Sequence, residues 1–195
     1  IIETGKAISN YEEVCASDGV SLTFHCSKSA LRNKAGQVIG VLTSAVDITA
    51  RKFAEEHRAH LALHDMLTGL PNRILLGEKM RETIEDCQKN EKIAALLLVD
   101  LDRFKVINDT RGHQAGDMLL RQVAERLTTI LRPEDIASRI GGDEFAIIIR
   151  SASSAEEISG ECLRILSHIG RPYSIDDSLQ LIGASIGVSL IPGDG

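Results

Sequence analysis

The spacing of apolar and polar positions divides the chain into three stretches. Between Ser21 and Ile48 the sequence reads as two strands and a turn. Val20, Leu22, Phe24 and Cys26 alternate with polar neighbours, the period of a half-buried strand. Asn33-Lys34-Ala35-Gly36 supplies turn chemistry, and Val38 to Val46 is a second β-rich run. A hairpin of this size cannot bury its own face and needs partner strands, so the first fifty or so residues read as part of a domain. From about Ala50 to His64 the chain is charged and lacks Gly and Pro. Phe53, His57, His60, Leu61 and His64 fall near one helical stripe, which predicts a linker helix with a seam suited to a second copy.

From Asp65 onward helical and strand periods alternate. Ile74 to Cys87 predicts an amphipathic helix, with Pro71 and Asn72 as its start signal. Ile93 to Asp100 is continuous in apolar residues and ends in carboxylates, as a buried strand would. Met118, Leu119, Gln122, Val123, Arg126, Leu127 and Ile130 mark a helix with one apolar face. Phe145 to Ile149 predicts a second buried strand, Ser154 to Ile169 a helix with Ile158, Cys162, Ile165 and Leu166 inward, and Leu179 to Ile191 a last strand interrupted by Gly183 and Gly187.

Composition adds bounds. With 195 residues, 43% of them hydrophobic and 26% charged, the chain can build one core plus a smaller module. No apolar run approaches the roughly 18 to 20 residues that span a bilayer. The start shows no signal peptide and no Met, so it reads as cut from something longer, expected in the cytoplasm with any membrane anchor lying upstream. Cys15, Cys26, Cys87 and Cys162 form no CxxC pair, which points to free thiols. The net charge of −6 argues against a nucleic-acid partner, which would need a basic surface. Nucleotides remain open as ligands where a divalent cation brings the positive charge.

Two constellations carry chemistry. Asp100-Leu101-Asp102 stands where a buried strand leaves the sheet, and Gly141-Gly142-Asp143-Glu144-Phe145 is a Gly-Gly turn leading into another. If the two strands are neighbours, Asp100 and Asp143 approach each other at one edge of the sheet. Crowded carboxylates repel unless a cation intervenes, and magnesium favours one or two of them with water and substrate phosphates. Taken singly, each motif also suits a solvated turn or a plain hairpin. His57, His60 and His64 share a helix face, where a solvated surface or coil contact explains them better than zinc.

Residues 65 to 195 resemble the GGDEF (diguanylate cyclase) family in motif order and spacing. Asp65-Met66-Leu67-Thr68-Gly69-Leu70-Pro71-Asn72-Arg73 is similar to its opening signature. Asp100 to Asp109, then Gly112-His113 and Gly116-Asp117, resemble its metal- and guanine-binding stretch. Arg139-Ile140-Gly141-Gly142-Asp143-Glu144-Phe145 matches the naming motif, and Ala184-Ser185-Ile186-Gly187-Val188 a strand near the family's C-terminal end.

The resemblance implies an α+β, palm-like fold: a mixed β-sheet flanked by helices, as in adenylyl cyclases. It implies condensation of two GTP into cyclic di-GMP by a homodimer, with Mg2+ or Mn2+ as cofactor. Asp100, the Leu101 carbonyl, Asp143 and Glu144 would hold metal; Asp143, Glu144 and Lys105 would serve catalysis, Glu144 by helping to deprotonate the 3′-hydroxyl. Asn108, Asp117, Phe104, Gly141 and Gly142 would bind substrate. Arg132 and Asp135 match an RxxD site that takes the product as inhibitor. Residues 1–49, ending Val46-Asp47-Ile48-Thr49, resemble the C-terminal part of a PAS sensor, and 50–64 its signalling helix.

The sequence departs from the family at two points. It stops before a helix whose Lys and Arg residues touch the nucleotide phosphates, and Arg103 stands where many members carry an aromatic residue. Pro71 and Arg171-Pro172-Tyr173 resemble members fused to a downstream EAL phosphodiesterase domain. That leaves a second expectation, a GTP-binding regulatory module for such a partner.

Overall fold

The computed structural model describes residues 7–17, 20–176 and 178–194, in two units, Ile1–His60 and Leu61–Gly195. In the first unit, β1 (Ile8–Ser17), β2 (Val20–Arg32) and β3 (Val38–Asp47) form an antiparallel meander, one strand more than the sequence pattern predicts. The β2–β3 turn forms because the Asn33 side chain accepts the Ala35 and Gln37 N–H groups, both at 3.0 Å, while Gly36 takes φ +80°. Of this unit's described residues only Cys26 is a buried hydrophobe, and Leu42 and Val46 are exposed. Helix α1 (Thr49–Leu63) starts where Asp47 accepts the Thr49 N–H at 2.9 Å.

In the second unit, α2 (Arg73–Asn90) is capped by Asn72, whose side chain accepts from Ile74 and Leu75. Then follow β4 (Ile93–Leu101), α3 (Phe104–Arg111), α4 (His113–Ile130), β5 (Ile136–Gly141), β6 (Glu144–Ala152) and α5 (Ala155–Ile169). A small hairpin of β7 (Tyr173–Ile175) and β8 (Ser178–Gln180) precedes the last strand, β9 (Ala184–Ile191). The main sheet has the order β5-β6-β4-β9.

The α+β palm-like architecture is as expected, but every pairing in this sheet is antiparallel, where a mixed sheet was expected. Strands β4 and β5 run parallel with β6 between them, and β6 and β9 run parallel with β4 between them. Each helical crossover therefore skips one strand, and the gap is filled by an antiparallel neighbour. The run from Leu179 to Ile191 is not one strand. It breaks between β8 and β9, where the Asp102 side chain lies so close to Gly183 that a Cβ there would meet its Oδ2 at 2.6 Å.

Side chains alternate along the central strands. Ala95, Leu97, Val99 and Leu101 of β4, with Phe145, Ile147 and Ile149 of β6, pack against Leu119, Val123 and Leu127 of α4 and Ile158, Ile165 and Ile169 of α5. Ala146 and Ile148 face the other way, with Leu76 of α2. Helix α3 was not evident from the sequence, because only Phe104 and Ile107 of its eight residues are buried. All four cysteines are free. Among the described residues no helix is long and apolar enough to cross a membrane.

Candidate active site

The acidic residues gather where β4 ends and β6 begins. Asp100 and Glu144 are direct partners in the β4–β6 register, and both are exposed. They also line one small cavity of about 130 Å³, with Ile140 and Phe145. Asp143 sits in the preceding turn, and its carbonyl accepts the Leu101 N–H at 3.4 Å. Asp100 and Asp143 thus meet at the end of the two central strands, away from the sheet's lateral edge. The Leu101 side chain is buried, which leaves its backbone as the only group it can offer a ligand.

The turn itself is held from outside. Arg139 donates to the Gly142 carbonyl from Nε at 3.0 Å and Nη2 at 2.7 Å, and from Nη1 to both oxygens of Asp65 at 2.9 and 3.1 Å. Asp65 also accepts from the Thr68 N–H and hydroxyl. Burial pushes the Asp65 carboxyl up, but the Thr68 and Arg139 bonds outweigh it and hold the group below its usual range. Gly142 adopts φ +54°, which glycine takes without strain, and a Cβ at Gly141 or Gly142 would meet nothing within 4 Å. The space above both glycines is open.

Asp102, seen in the sequence only as part of a motif, fastens β9 to this end of the sheet. Its N–H donates to the Gly183 carbonyl at 2.9 Å, and its Oδ1 accepts from the Ser185 hydroxyl at 2.9 Å. The next residue, Arg103, is left-handed at φ +60° and turns the chain into α3. Lys105 is exposed on the first turn of that helix. Phe104 is only 7% exposed, in the core, so it presents backbone and not its ring to a ligand.

Asn108 and Asp117 belong to the junction of α3 and α4. The Asn108 amide lies against Gly116: a Cβ at 116 would come within 2.0 Å of Asn108 Oδ1 and 3.1 Å of Phe104. Gly116 is therefore required for this close packing, and it places half-buried Asp117 beside half-buried Asn108. A cleft of about 790 Å³, lined by Asp100, Asp102, Arg103, Val106 and Gly183, opens on another face of α3. At about 100° of rotation per residue, Arg103, Val106 and Thr110 point away from the face that carries Phe104 and Asn108. Neither Asn108 nor Asp117 lines that cleft.

Could this end of the sheet hold a divalent cation? Among the described residues no basic side chain forms an ion pair with Asp100, Asp143 or Glu144, and no three His, Cys, Asp or Glu side chains converge into a ready metal cage. A pair of unneutralised carboxylates beside open space fits magnesium, which takes most of its shell from water and phosphate oxygens. Manganese accepts the same oxygen donors.

Arg132 and Asp135 lie elsewhere, between α4 and β5. Arg132 Nη2 reaches Glu157 at 2.9 Å and Glu161 at 3.4 Å. Asp135 accepts the Arg150 N–H at 3.1 Å, and burial raises its carboxyl above the usual range. No histidine or cysteine takes part in either site.

The antiparallel palm carries its carboxylates at the end of its central strands, Asp100 on β4 and Glu144 on β6. The family model for "Diguanylate cyclase, GGDEF domain" matches residues 62–195, and the chain belongs to this family. It is 38% identical over 164 residues to the bifunctional diguanylate cyclase/cyclic di-GMP phosphodiesterase MucR of Pseudomonas aeruginosa, covering 81% of this chain and 24% of that protein. It thus spans about a quarter of that relative's length. A sensory box/GGDEF family protein from Caulobacter crescentus CB15 superposes with TM-score 0.65 at 36% identity, covering 68% of this chain and 86% of that one. The coiled coil and GGDEF domain of Caulobacter crescentus DgcB, solved in complex with c-di-GMP, superposes with TM-score 0.64 at 28% identity, covering 72% and 75%.

Proposed function

We propose that this chain is a diguanylate cyclase acting as a homodimer, in which each copy presents one GTP to the other. The observation that carries the reading is the Asp100–Glu144 register pair, set beside an open Gly-Gly turn. The 3′-oxygen of one GTP forms a bond to the α-phosphorus of the other and the bond to pyrophosphate breaks, while the hydroxyl proton passes to Glu144 or, where Glu144 would hold a metal ion, to solvent water. The reciprocal step closes the ring and releases the second pyrophosphate. Asp100, the Leu101 carbonyl, Asp143 and Glu144 would hold Mg2+ or Mn2+, which when bound supplies charge neutralisation at the phosphates. Lys105 adds a positive charge near them. Asn108 and Asp117 read guanine, since a carboxylate accepts from its N1–H and amino group, for which adenine has no matching donors. Gly141, Gly142 and the Phe104 backbone leave room for the nucleotide. Positioning and charge neutralisation supply most of the rate.

Arg132 and Asp135 would bind cyclic di-GMP as inhibitor. Residues 1–49 would be the C-terminal part of a PAS sensor, and 50–64 its signalling helix. Incubating the chain with GTP and magnesium and chromatographing for cyclic di-GMP tests the enzyme. Product that disappears with Glu144→Gln supports it. Bound GTP without product favours a second reading, regulation of a fused phosphodiesterase domain, for which the bifunctional name of MucR is the supporting observation. Arg132→Ala should relieve product inhibition and leave synthesis intact.

A further inference from the structure

Arg132 is already occupied by the protein's own carboxylates. Its Nη2 lies 2.9 Å from Glu157 Oε1 and 3.4 Å from Glu161 Oε1, both on the first two turns of α5. Each carboxylate is fixed by bonds that do not involve Arg132. Glu157 Oε2 accepts the Ser153 N–H at 2.7 Å, while the Ser154 hydroxyl accepts the Glu157 N–H at 3.3 Å, a reciprocal helix cap. Glu161 Oε2 accepts from Arg164, which in turn donates to the Ile130 carbonyl at 2.6 Å. The acceptors are therefore preorganised, whereas among the described residues the Arg132 guanidinium has no other hydrogen-bond partner.

The opposite wall makes the contrast. Asp135 spends Oδ1 on the Arg150 N–H, and its Oδ2 is buried with no hydrogen-bond partner. Asp135 and Arg132 both line a cavity of about 400 Å³, with Leu70, Pro71 and Ala137. A guanine edge offers N–H donors to a carboxylate and O6 and N7 acceptors to an arginine fork. One ligand could thus engage both side chains, and it would compete with α5 for the Arg132 Nη2.

Resting on the reading of Arg132 and Asp135 as the product site, we propose that Glu157 and Glu161 are internal competitors for Arg132. They set the concentration of a guanine dinucleotide at which the site fills. Both bridges are partly exposed, with side-chain exposures of 38% for Arg132, 31% for Glu157 and 14% for Glu161. Solvent screening keeps each modest, so removing both should tighten binding about three- to tenfold.

The test is calorimetric titration of cyclic di-GMP into the wild-type chain and three variants. Glu157→Gln with Glu161→Gln should bind about three- to tenfold more tightly. Glu134→Gln with Glu156→Gln removes the same charge from two exposed residues, neither of them paired with Arg132, and should shift affinity less than about twofold. Arg132→Ala should abolish binding. Equal tightening in the charge-matched pair would overturn the competitor, as would unchanged affinity in the α5 pair when Arg132→Ala still abolishes binding. Binding indifferent to Arg132→Ala would sink the site reading and the competitor with it. If the wild type does not bind, binding gained by the α5 pair supports the proposal, and none in either overturns it. Should the α5 pair fail to fold, Glu161→Gln alone leaves the helix cap whole and should still tighten binding about two- to fivefold.

Discussion

Asp65 and Arg139, 74 residues apart in the chain, share two hydrogen bonds, and the other edge of the same guanidinium grips the carbonyl of Gly142. The planar fork of arginine allows one side chain to do both. The loop before α2 and the turn before Glu144 are thereby one mechanical unit. With side-chain exposures of 23% for Asp65 and 11% for Arg139, the pair is shielded enough to matter. Asp65→Ala should cost about 1–3 kcal/mol in urea unfolding, and cyclase turnover should fall further than GTP affinity. Arg139→Lys keeps the charge, loses the fork, and should lose turnover with a smaller stability cost.

The same carboxyl predicts a pH dependence. Its folded-state pKa is depressed, so its contribution is fully present above the ordinary carboxylate value of about 4 and is lost as pH falls through the depressed value. Urea midpoints measured from pH 6 down to about pH 2 should fall less steeply for Asp65→Asn than for the wild type. Parallel acid limbs would remove Asp65 from the account.

Gly116→Ala should push Asn108 aside, because the new Cβ would sit 2.0 Å from its amide oxygen. Overpacking here should cost about 1–3 kcal/mol. GTP affinity, read by titration at a temperature where the variant is folded, should fall about tenfold or more with the loss of one guanine contact. Full affinity would mean that Asn108 does not touch the base.

Glu144→Gln should lower cyclic di-GMP synthesis at least about a hundredfold. GTP affinity should stay within about threefold of wild type, since the proposed base contacts lie on α3 and α4. Chelation of divalent cations should stop synthesis in the wild type.

Tyr173 separates structure from activity. Its ring is fully buried under the Arg126 guanidinium at 3.8 Å, its hydroxyl has no partner, and burial pushes its pKa up to about 12. Tyr173→Phe removes an unsatisfied donor and should raise stability by about 1 kcal/mol with turnover unchanged. Arg126 donates to the carbonyls of His168, Arg171 and Pro172 at the end of α5, so Arg126→Met should cost about 2–4 kcal/mol. Thermal melts distinguish the two.

The legible parts were those with strong local signatures. The continuous apolar run of β4 and the stripes of α2, α4 and α5 announced buried elements, and Gly-Gly before a buried strand announced a turn. Helix α3 escaped because its eight residues bury only two side chains. The β8–β9 break escaped because it depends on Asp102 lying against Gly183 from far along the chain.

By itself the sequence determined the family, the order of most elements and the residue types at the site, because periodicity and turn chemistry act over a few neighbouring residues. Only the tertiary structure decided which of those residues meet. The β4–β6 register put Asp100 opposite Glu144, Arg139 tied the Gly-Gly turn to Asp65, and α5 brought Glu157 to Arg132. These pairings join residues 25 to 74 positions apart or lie across a strand ladder. Hydrogen-bond register and helix packing fix such distances, and neither is written in any local stretch of the chain.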